Sequence, residues 1–454
     1  MSKKVTIDKW SLGYWMLKYL LVRPVHNLYY RKFQVWNHSN IPRNAPVILA
    51  PNHQNALMDA MAIVTDVNFQ SIFLTRADVF ASPLLVKVLT FGKMLPIYRI
   101  RDGRASLQKN DEIFDITVAI LHNKENPLCI FPEGNHGDKR RLRPLVKGIF
   151  RIAFKAQEEY QDKKGVKIVP IGLDYKHYQK FRQTLLINIG TPIEVCEYWE
   201  AYRENSVTGT LMLRERLADE LKKLMINIET EEYYDLFMAL RGIFNKQMRK
   251  KLGLHSNKLS DQFIADKKMI DKLDNCLKTD PKNIAALNKI FLEYKKLKEN
   301  LNFCDWVPAN KSYNLIGNLF AIIISMLSLP ISIIGLFNNW PHLFLPSKIL
   351  KSIKDPQFHS TAKWGAGLIM ITIYYLILII LAIIFIPFWW LKLIYILTLP
   401  VTGIIALTHR NFIIKSWAKI RYTWRVVTKD PKTARLRELY DDLIMSVSDI
   451  VDSY

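Results

Sequence analysis

Two apolar blocks near the C-terminal end limit what this chain can fold into. Leu315 to Phe337 is a run of 23 uncharged residues, and Ala366 to Leu407 holds 42 residues with Lys392 as its only charge. A helix needs roughly 20 apolar residues to span a bilayer. The first block is therefore long enough for one crossing and the second for two. Pro330 interrupts the first block, and Pro387 and Pro400 the second. Each proline bends or ends a helix. The reading that follows makes the first block a re-entrant or shallow helix broken at Pro330, and the second a helical hairpin turning near Pro387. The other arrangement has 315–337 and 366–386 cross, with 388–407 lying shallow.

The flanks set the expected orientation. Residues 1–50 carry eight Lys/Arg against one acidic residue, and 409–437 carry nine against Asp430. Basic flanks stay cytoplasmic, which predicts both ends on that side and an even number of crossings. The chain as a whole has 64 Lys and Arg against 41 Asp and Glu, a net charge of +23. Such an excess suits phosphates, on an anionic membrane or in nucleic acid. No nucleic-acid recognition motif is present, so the membrane explains the charge better. Half the residues are hydrophobic, which excludes a wholly disordered chain. Cys129, Cys196, Cys276 and Cys304 are widely spaced, in no disulfide or zinc register. They read as reduced thiols of a cytoplasmic domain. The N-terminal stretch carries no cleavable signal pattern. Trp10–Tyr30 mixes aromatic residues with Lys18 and Arg23, a pattern for a helix lying flat in the headgroup layer.

Ahead of the membrane part, residues 39–195 alternate between short apolar runs and helical patterns. The strand-like runs are 47–50, 72–75, 95–98, 128–131, 168–173 and 185–189. Helical patterns lie between them at 105–123 and 147–160. That alternation predicts an α/β fold, a largely parallel sheet flanked by helices. The expected divisions are an interfacial segment 1–38, an α/β domain 39–207, a charged helical region 208–310, membrane segments 311–410 and a basic cytoplasmic tail 411–454.

Four turns carry candidate chemistry. Pro51-Asn52-His53-Gln54-Asn55-Ala56-Leu57-Met58-Asp59 follows the strand-like VILA. Open α/β sheets bind ligands at such strand ends. A histidine there can take a proton from an alcohol, with a nearby carboxylate holding its tautomer. A plain helix cap with a surface histidine is the alternative. Phe131-Pro132-Glu133-Gly134-Asn135-His136 also follows a strand, and Lys139, Arg140, Arg141, Arg143 and Lys147 come after it. That density suits phosphate oxygens. Gly92 to Arg99 ends in a basic run continued by Arg101 and Arg104. Val169-Pro170-Ile171-Gly172-Leu173 is a buried strand with an unexpected proline.

In order and spacing, these four turns resemble the sequence blocks of the glycerol-phosphate acyltransferase superfamily, over about residues 45–195. The resemblance implies that His53 is the general base for the acceptor hydroxyl and Asp59 its orienting carboxylate. It implies attack on an acyl-CoA or acyl-carrier-protein thioester with no covalent enzyme intermediate and no metal or cofactor. Arg99, with Arg101 beside it, matches the family's phosphate-binding position. Glu133 and Gly134 match the acceptor-pocket block, and Pro170 the block on the acyl-donor side. Five residues separate His53 from Asp59 where the family has four. Six helical positions amount to roughly 240° of rotation. The pair can therefore meet only if His53 sits on the turn before the helix. The longer spacing and the C-terminal membrane part are similar to the branch that acylates glycerol 3-phosphate or dihydroxyacetone phosphate. Asn135-His136 departs from the family pattern and leaves the acceptor open. The implied function is an O-acyltransferase of phospholipid synthesis making lysophosphatidate from glycerol 3-phosphate. The alternatives are a lysophosphatidate acyltransferase making phosphatidate and a non-catalytic lipid-binding scaffold. Implied partners are the acyl thioester, the glycerol-phosphate acceptor and membrane lipids, with the catalytic domain on the cytoplasmic face.

Overall fold

The computed structural model describes residues 7–99, 108–310, 314–350, 353 and 355–454. The chain divides into two compact units. The first holds the residues up to 227, with 257–263 and 354–361; the second holds the rest.

The first unit is built on an eight-stranded sheet: β1 (Lys32–Trp36), β2 (Val47–Pro51), β3 (Ile72–Arg76), β4 (Met94–Ile97), β5 (Leu128–Cys129), β6 (Lys167–Tyr175), β7 (Thr184–Ile189) and β8 (Ile193–Glu194). Their spatial order is β1-β7-β6-β2-β5-β3-β4, with β8 also on β6. Pairing is parallel except where β7 and β8 run antiparallel to β6. The fold is thus the expected α/β layer with a largely parallel sheet. Buried parallel strands are covered on both faces and read as continuous apolar runs. Every residue of β2 is accordingly buried.

Pro170 stands in the middle of β6, paired with Ala50 of β2. Its carbonyl accepts from Gly190 N at 2.9 Å, so its own nitrogen faces away from β2. That side is the seam between β8, which pairs at Lys167 and Ile168, and β7, which pairs from Ile171 onward. The missing N–H falls where no ladder bond is interrupted, which is how a central strand tolerates a proline.

Helices α1 (Leu12–Met16), α2 (Arg23–Tyr29), α3 (Leu57–Asp66), α4 (Pro83–Phe91), α5 (Lys109–Asn123), α6 (Gly148–Gln157), α7 (Trp199–Glu204) and α8 (Ser206–Leu224) complete this unit. One core joins Ile149, Phe150 and Ala153 of α6 to Leu213, Leu217 and Leu221 of α8 and to Ile48 and Ile168 of the sheet. Two expected boundaries move. The sheet begins at Lys32, seven residues ahead of 39, because β1 pairs with β7. The unit runs on to Asn227, past 207, because Leu213, Leu217 and Leu221 form a fully buried stripe at helical spacing.

The N-terminal helix also differs from expectation. Trp10, Leu12, Trp15 and Leu20 are exposed, as an interfacial helix requires. Lys18, expected among headgroups, is buried, and its Nζ donates to the carbonyls of Val67 at 2.7 Å and Phe69 at 3.0 Å.

The second unit is helical: α9 (Tyr234–Ile243), α10 (Asn245–Lys251), α11 (Leu259–Thr279, from residue 264), α12 (Pro281–Leu301), α13 (Leu315–Ile349), α14 (His359–Phe385, from residue 362), α15 (Trp389–Val427) and α16 (Pro431–Ser453). Residues 431–453, expected within a basic tail, form α16. Its Leu436, Leu439, Tyr440 and Leu443 are buried, Tyr440 meets Tyr294 of α12, and Arg435 pairs with Glu293.

Three helices are long and apolar enough to cross a membrane, over Ile316–Pro346, His359–Phe385 and Trp389–Val427. The first corrects the broken-helix expectation, because α13 continues through Pro330, Pro341 and Pro346. Ser325, Ser328 and Ser332 hydroxyls donate to carbonyls three or four residues back around Pro330. Such local bonds are how apolar helices absorb a proline. The break at Pro387 separates α14 from α15 as expected. Helices α13 and α15 pack antiparallel: His409 Nε2 lies 2.9 Å from the Ser325 carbonyl, and Asn339 donates to the Leu399 carbonyl at 3.2 Å. Gly335 makes the crossing close, since a Cβ there would sit 2.3 Å from the Thr402 carbonyl oxygen. Small residues at such crossings let helix backbones approach.

Candidate active site

The turn after β2 is fastened before its chemistry begins. Asn52 N donates to the Ile171 carbonyl at 3.1 Å, and Asn52 Oδ1 accepts from Leu173 N at 2.6 Å. The turn is thereby sewn to the neighbouring strand β6. It ends at Ala56, whose φ of 44° is a conformation L-residues rarely adopt. Within the turn the chain folds back, so that His53 Nδ1 lies 2.9 Å from Asp59 Oδ2. The extra residue between them is absorbed by the turn, with His53 ahead of α3 and Asp59 in its first helical turn. An anion is favoured there by the helix dipole.

Asp59 is fully buried and densely bonded. Its Oδ2 also accepts from the backbone N–H groups of Gln54 at 2.8 Å and Asn55 at 2.7 Å. Its Oδ1 accepts from the phenol of Tyr175 at 2.7 Å. Tyr175, at the end of β6 and fully buried, has no mark in the sequence beyond closing an apolar strand. With Nδ1 donating to Asp59, His53 keeps Nε2 as an acceptor, the tautomer a general base needs. The Phe131 ring stacks on the imidazole, with centroids 4.1 Å apart.

Glu133 braces the same turn. Its carboxylate accepts from His53 N at 2.7 Å and Arg143 N at 3.2 Å. Burial pushes this carboxyl up to about 7, against the pull of those two donors. Glu133 thereby joins the histidine turn to the basic loop. Gly134 has φ +66°, and a Cβ there would lie 2.7 Å from Val146 Cγ1. Only glycine meets both conditions.

Beside this turn opens a cavity of about 550 Å³ whose wall includes Arg76, Lys139, Arg141, Arg143 and His136. The His136 ring stands edge-on to His53, with centroids 5.5 Å apart. Burial, then the neighbouring His53, lowers the His136 pKa from its ordinary 6.5. Other expected residues stand elsewhere. Arg99 contacts Asp78 at 3.3 Å, the carboxylate that also pairs with Arg76. Arg76, which sequence reading passed over, is the one of these two that lines the cavity. Arg101 lies outside the described residues. Pro170 is inside the sheet and lines no wall of this cavity. Arg140, part of the basic run, is buried against Asp174 and the Tyr175 carbonyl. Among the described residues, no three His, Cys, Asp or Glu side chains gather as a metal site.

An acyltransferase family profile matches residues 32–174. Glycerol-3-phosphate O-acyltransferase 1 of Saccharomyces cerevisiae is 29% identical over 203 residues, 44% of this chain and 25% of that protein. Glycerol-3-phosphate O-acyltransferase 2 of the same yeast is 32% identical over 138 residues, 29% of this chain and 17% of that one. The chain thus spans a quarter or less of either relative's length. The crystal structure of a 1-acyl-sn-glycerophosphate acyltransferase from Thermotoga maritima overlays with a TM-score of 0.31 at 15% identity, over 45% of this chain and 79% of the other. The fold stands on the strand order above. Residues 32–174 match the acyltransferase family profile, and with the four blocks in order and the His53–Asp59 pair formed they support the likeness to the glycerol-phosphate acyltransferase superfamily.

Proposed function

We propose that this chain transfers a fatty acyl group from a thioester to the hydroxyl of glycerol 3-phosphate, giving lysophosphatidate. The observation that carries the reading is the histidine–carboxylate pair beside a cavity walled by four cationic side chains. The cavity suits a phosphate monoester, and the pair suits an alcohol that must lose a proton. The names of the two yeast relatives support the same acceptor.

In this mechanism the acceptor phosphate rests among Arg76, Lys139, Arg141 and Arg143. Planar guanidinium groups match phosphate oxygens in charge and geometry. His53 Nε2 takes the hydroxyl proton as the oxygen attacks the thioester carbonyl. Asp59 stabilises the imidazolium that forms. The C–S bond then breaks as the carbonyl reforms, and the leaving thiolate takes the proton back from His53. The products are an ester and a free thiol, with no covalent enzyme intermediate. The donor is acyl-CoA or acyl-carrier protein. The apolar helices hold the domain at the membrane, facing the cytoplasm.

Full-length protein in lipid, given labelled acyl-CoA with each acceptor in turn and its products identified by mass, tests the reading. Labelled lysophosphatidate from glycerol 3-phosphate is expected. Labelled phosphatidate from lysophosphatidate alone would move the acceptor, and no acyl transfer to either would favour a lipid-binding scaffold.

A further inference from the structure

The cavity beside His53 is not closed by the acyltransferase blocks alone. Asp355, Gln357 and Phe358 also line it. These residues lie between the first two apolar helices in sequence, yet they pack with the first unit. We propose that this short segment is the outer wall of the acceptor site and selects a small, phosphate-bearing alcohol over a lysolipid. The inference rests on the acceptor reading above and assigns its selectivity to residues outside the family blocks.

The segment is locally built. Asp355 Oδ1 accepts from Gln357 N at 3.1 Å, and the Asp355 carbonyl accepts from Phe358 N at 3.2 Å. These bonds close a 3₁₀ turn over Pro356–Phe358. Ser360, fully buried, donates its hydroxyl to the carbonyl of Tyr178, just beyond β6. The turn is thereby tied to the end of the strand that supplies Tyr175.

Its side chains meet the site through His136. Asp355 Oδ2 lies 3.6 Å from His136 Nε2, an electrostatic contact too long for a hydrogen bond. The Phe358 ring stands edge-on to the imidazole, with centroids 4.8 Å apart and planes at 88°. His136 is thus held between Phe358 and the His53 ring. Asp355 and Gln357 offer hydrogen-bond acceptors to the alcohol hydroxyls, while the cations take the phosphate. Among the described residues, Phe358 is the only large hydrocarbon side chain in the wall. The wall is more polar than apolar, which suits a glycerol phosphate better than an acyl chain.

The test uses full-length protein in lipid nanodiscs, assayed with glycerol 3-phosphate and lysophosphatidate at saturating acyl-CoA. Phe358→Ala opens the wall. It should raise the KM for glycerol 3-phosphate roughly tenfold, within the range pocket changes give. The preference for glycerol 3-phosphate over lysophosphatidate should shrink, while the donor KM stays the same. Phe358→Leu, which refills the space, should restore most of the preference. Gln357→Ala should raise acceptor KM without changing donor KM. Titration of glycerol 3-phosphate into His53→Ala protein, with and without Phe358→Ala, gives the binding loss without turnover. If wild type selects glycerol 3-phosphate and these variants keep acceptor KM, binding and preference within twofold, the wall is overturned and the function stands. If wild type acylates lysophosphatidate alone, the acceptor reading falls and takes this inference with it.

Discussion

His53 and Asp59 meet at 2.9 Å although they are six residues apart. Replacing His53 with alanine should cut turnover by about 10²–10⁴-fold, the usual worth of a general base, with the thermal midpoint little changed because the ring stands at the edge of the turn. Near-normal turnover would end the mechanism. Tyr175 acts through Asp59 and is a positioning residue. Tyr175→Phe removes one charge-assisted hydrogen bond and leaves Oδ1 unmatched, a loss of about 1.5–3 kcal/mol. That predicts a roughly 10–100-fold fall in kcat, with both KM values little changed. A fall confined to KM would show that the phenol serves binding instead. Glu133 makes a prediction about pH. Below its ordinary 4.5 it is protonated whether folded or unfolded. Between 4.5 and about 7 the unfolded chain ionises first, so the folded state loses about 1.4 kcal/mol per pH unit. This stabilising contribution is complete at low pH and is lost as pH rises through 7. Thermal midpoints of wild type and Glu133→Gln, compared from pH 5 to pH 8, should show the smaller decline in the variant. Parallel declines would clear Glu133.

At the scale of elements, the apolar helices depend on one close crossing. A side chain at Gly335 would run into the Thr402 backbone, which cannot move aside as a flexible side chain can. Gly335→Leu should therefore separate α13 from α15. A Ser325→Cys/His409→Cys pair, placed where His409 now meets the Ser325 carbonyl, should cross-link readily in the parent and poorly with leucine at 335. Equal cross-linking would mean that the helices are held elsewhere. Strand β2 illustrates what local pattern reveals. Its unbroken apolar run marked a strand, and the polar turn behind it marked a candidate site. Strand β1 was not legible in the same way, because Lys32-Phe33-Gln34-Val35-Trp36 is only half buried and finds its partner about 150 residues away in β7.

For the whole molecule, the basic flanks bear on topology. Residues 1–50 carry eight Lys/Arg against one acidic residue, and 409–437 carry nine against Asp430. This excess leads us to expect both ends of the chain on the cytoplasmic side. In a background without the native cysteines, Trp10→Cys and Met445→Cys, both at exposed positions, should resist an impermeant reagent in intact cells and react after lysis. Labelling of either site in intact cells would overturn that orientation.

By itself the sequence determined that the chain carries membrane-length apolar helices, because crossing a bilayer is a matter of run length and composition. It also determined an α/β domain and a histidine turn at a strand end, because periodicity and turn chemistry are local. The geometry of a helix even required His53 to lie outside α3. Only the tertiary structure decided which cations face the cavity: Arg76 lines it, while Arg140, in the middle of the basic run, is buried against Asp174. It brought Tyr175 to Asp59 across 116 residues and Asp355 to His136 across more than 200. Such contacts depend on strand register and on where a distant segment returns. A neighbour supplied by the fold, rather than by the chain, leaves no periodicity to read.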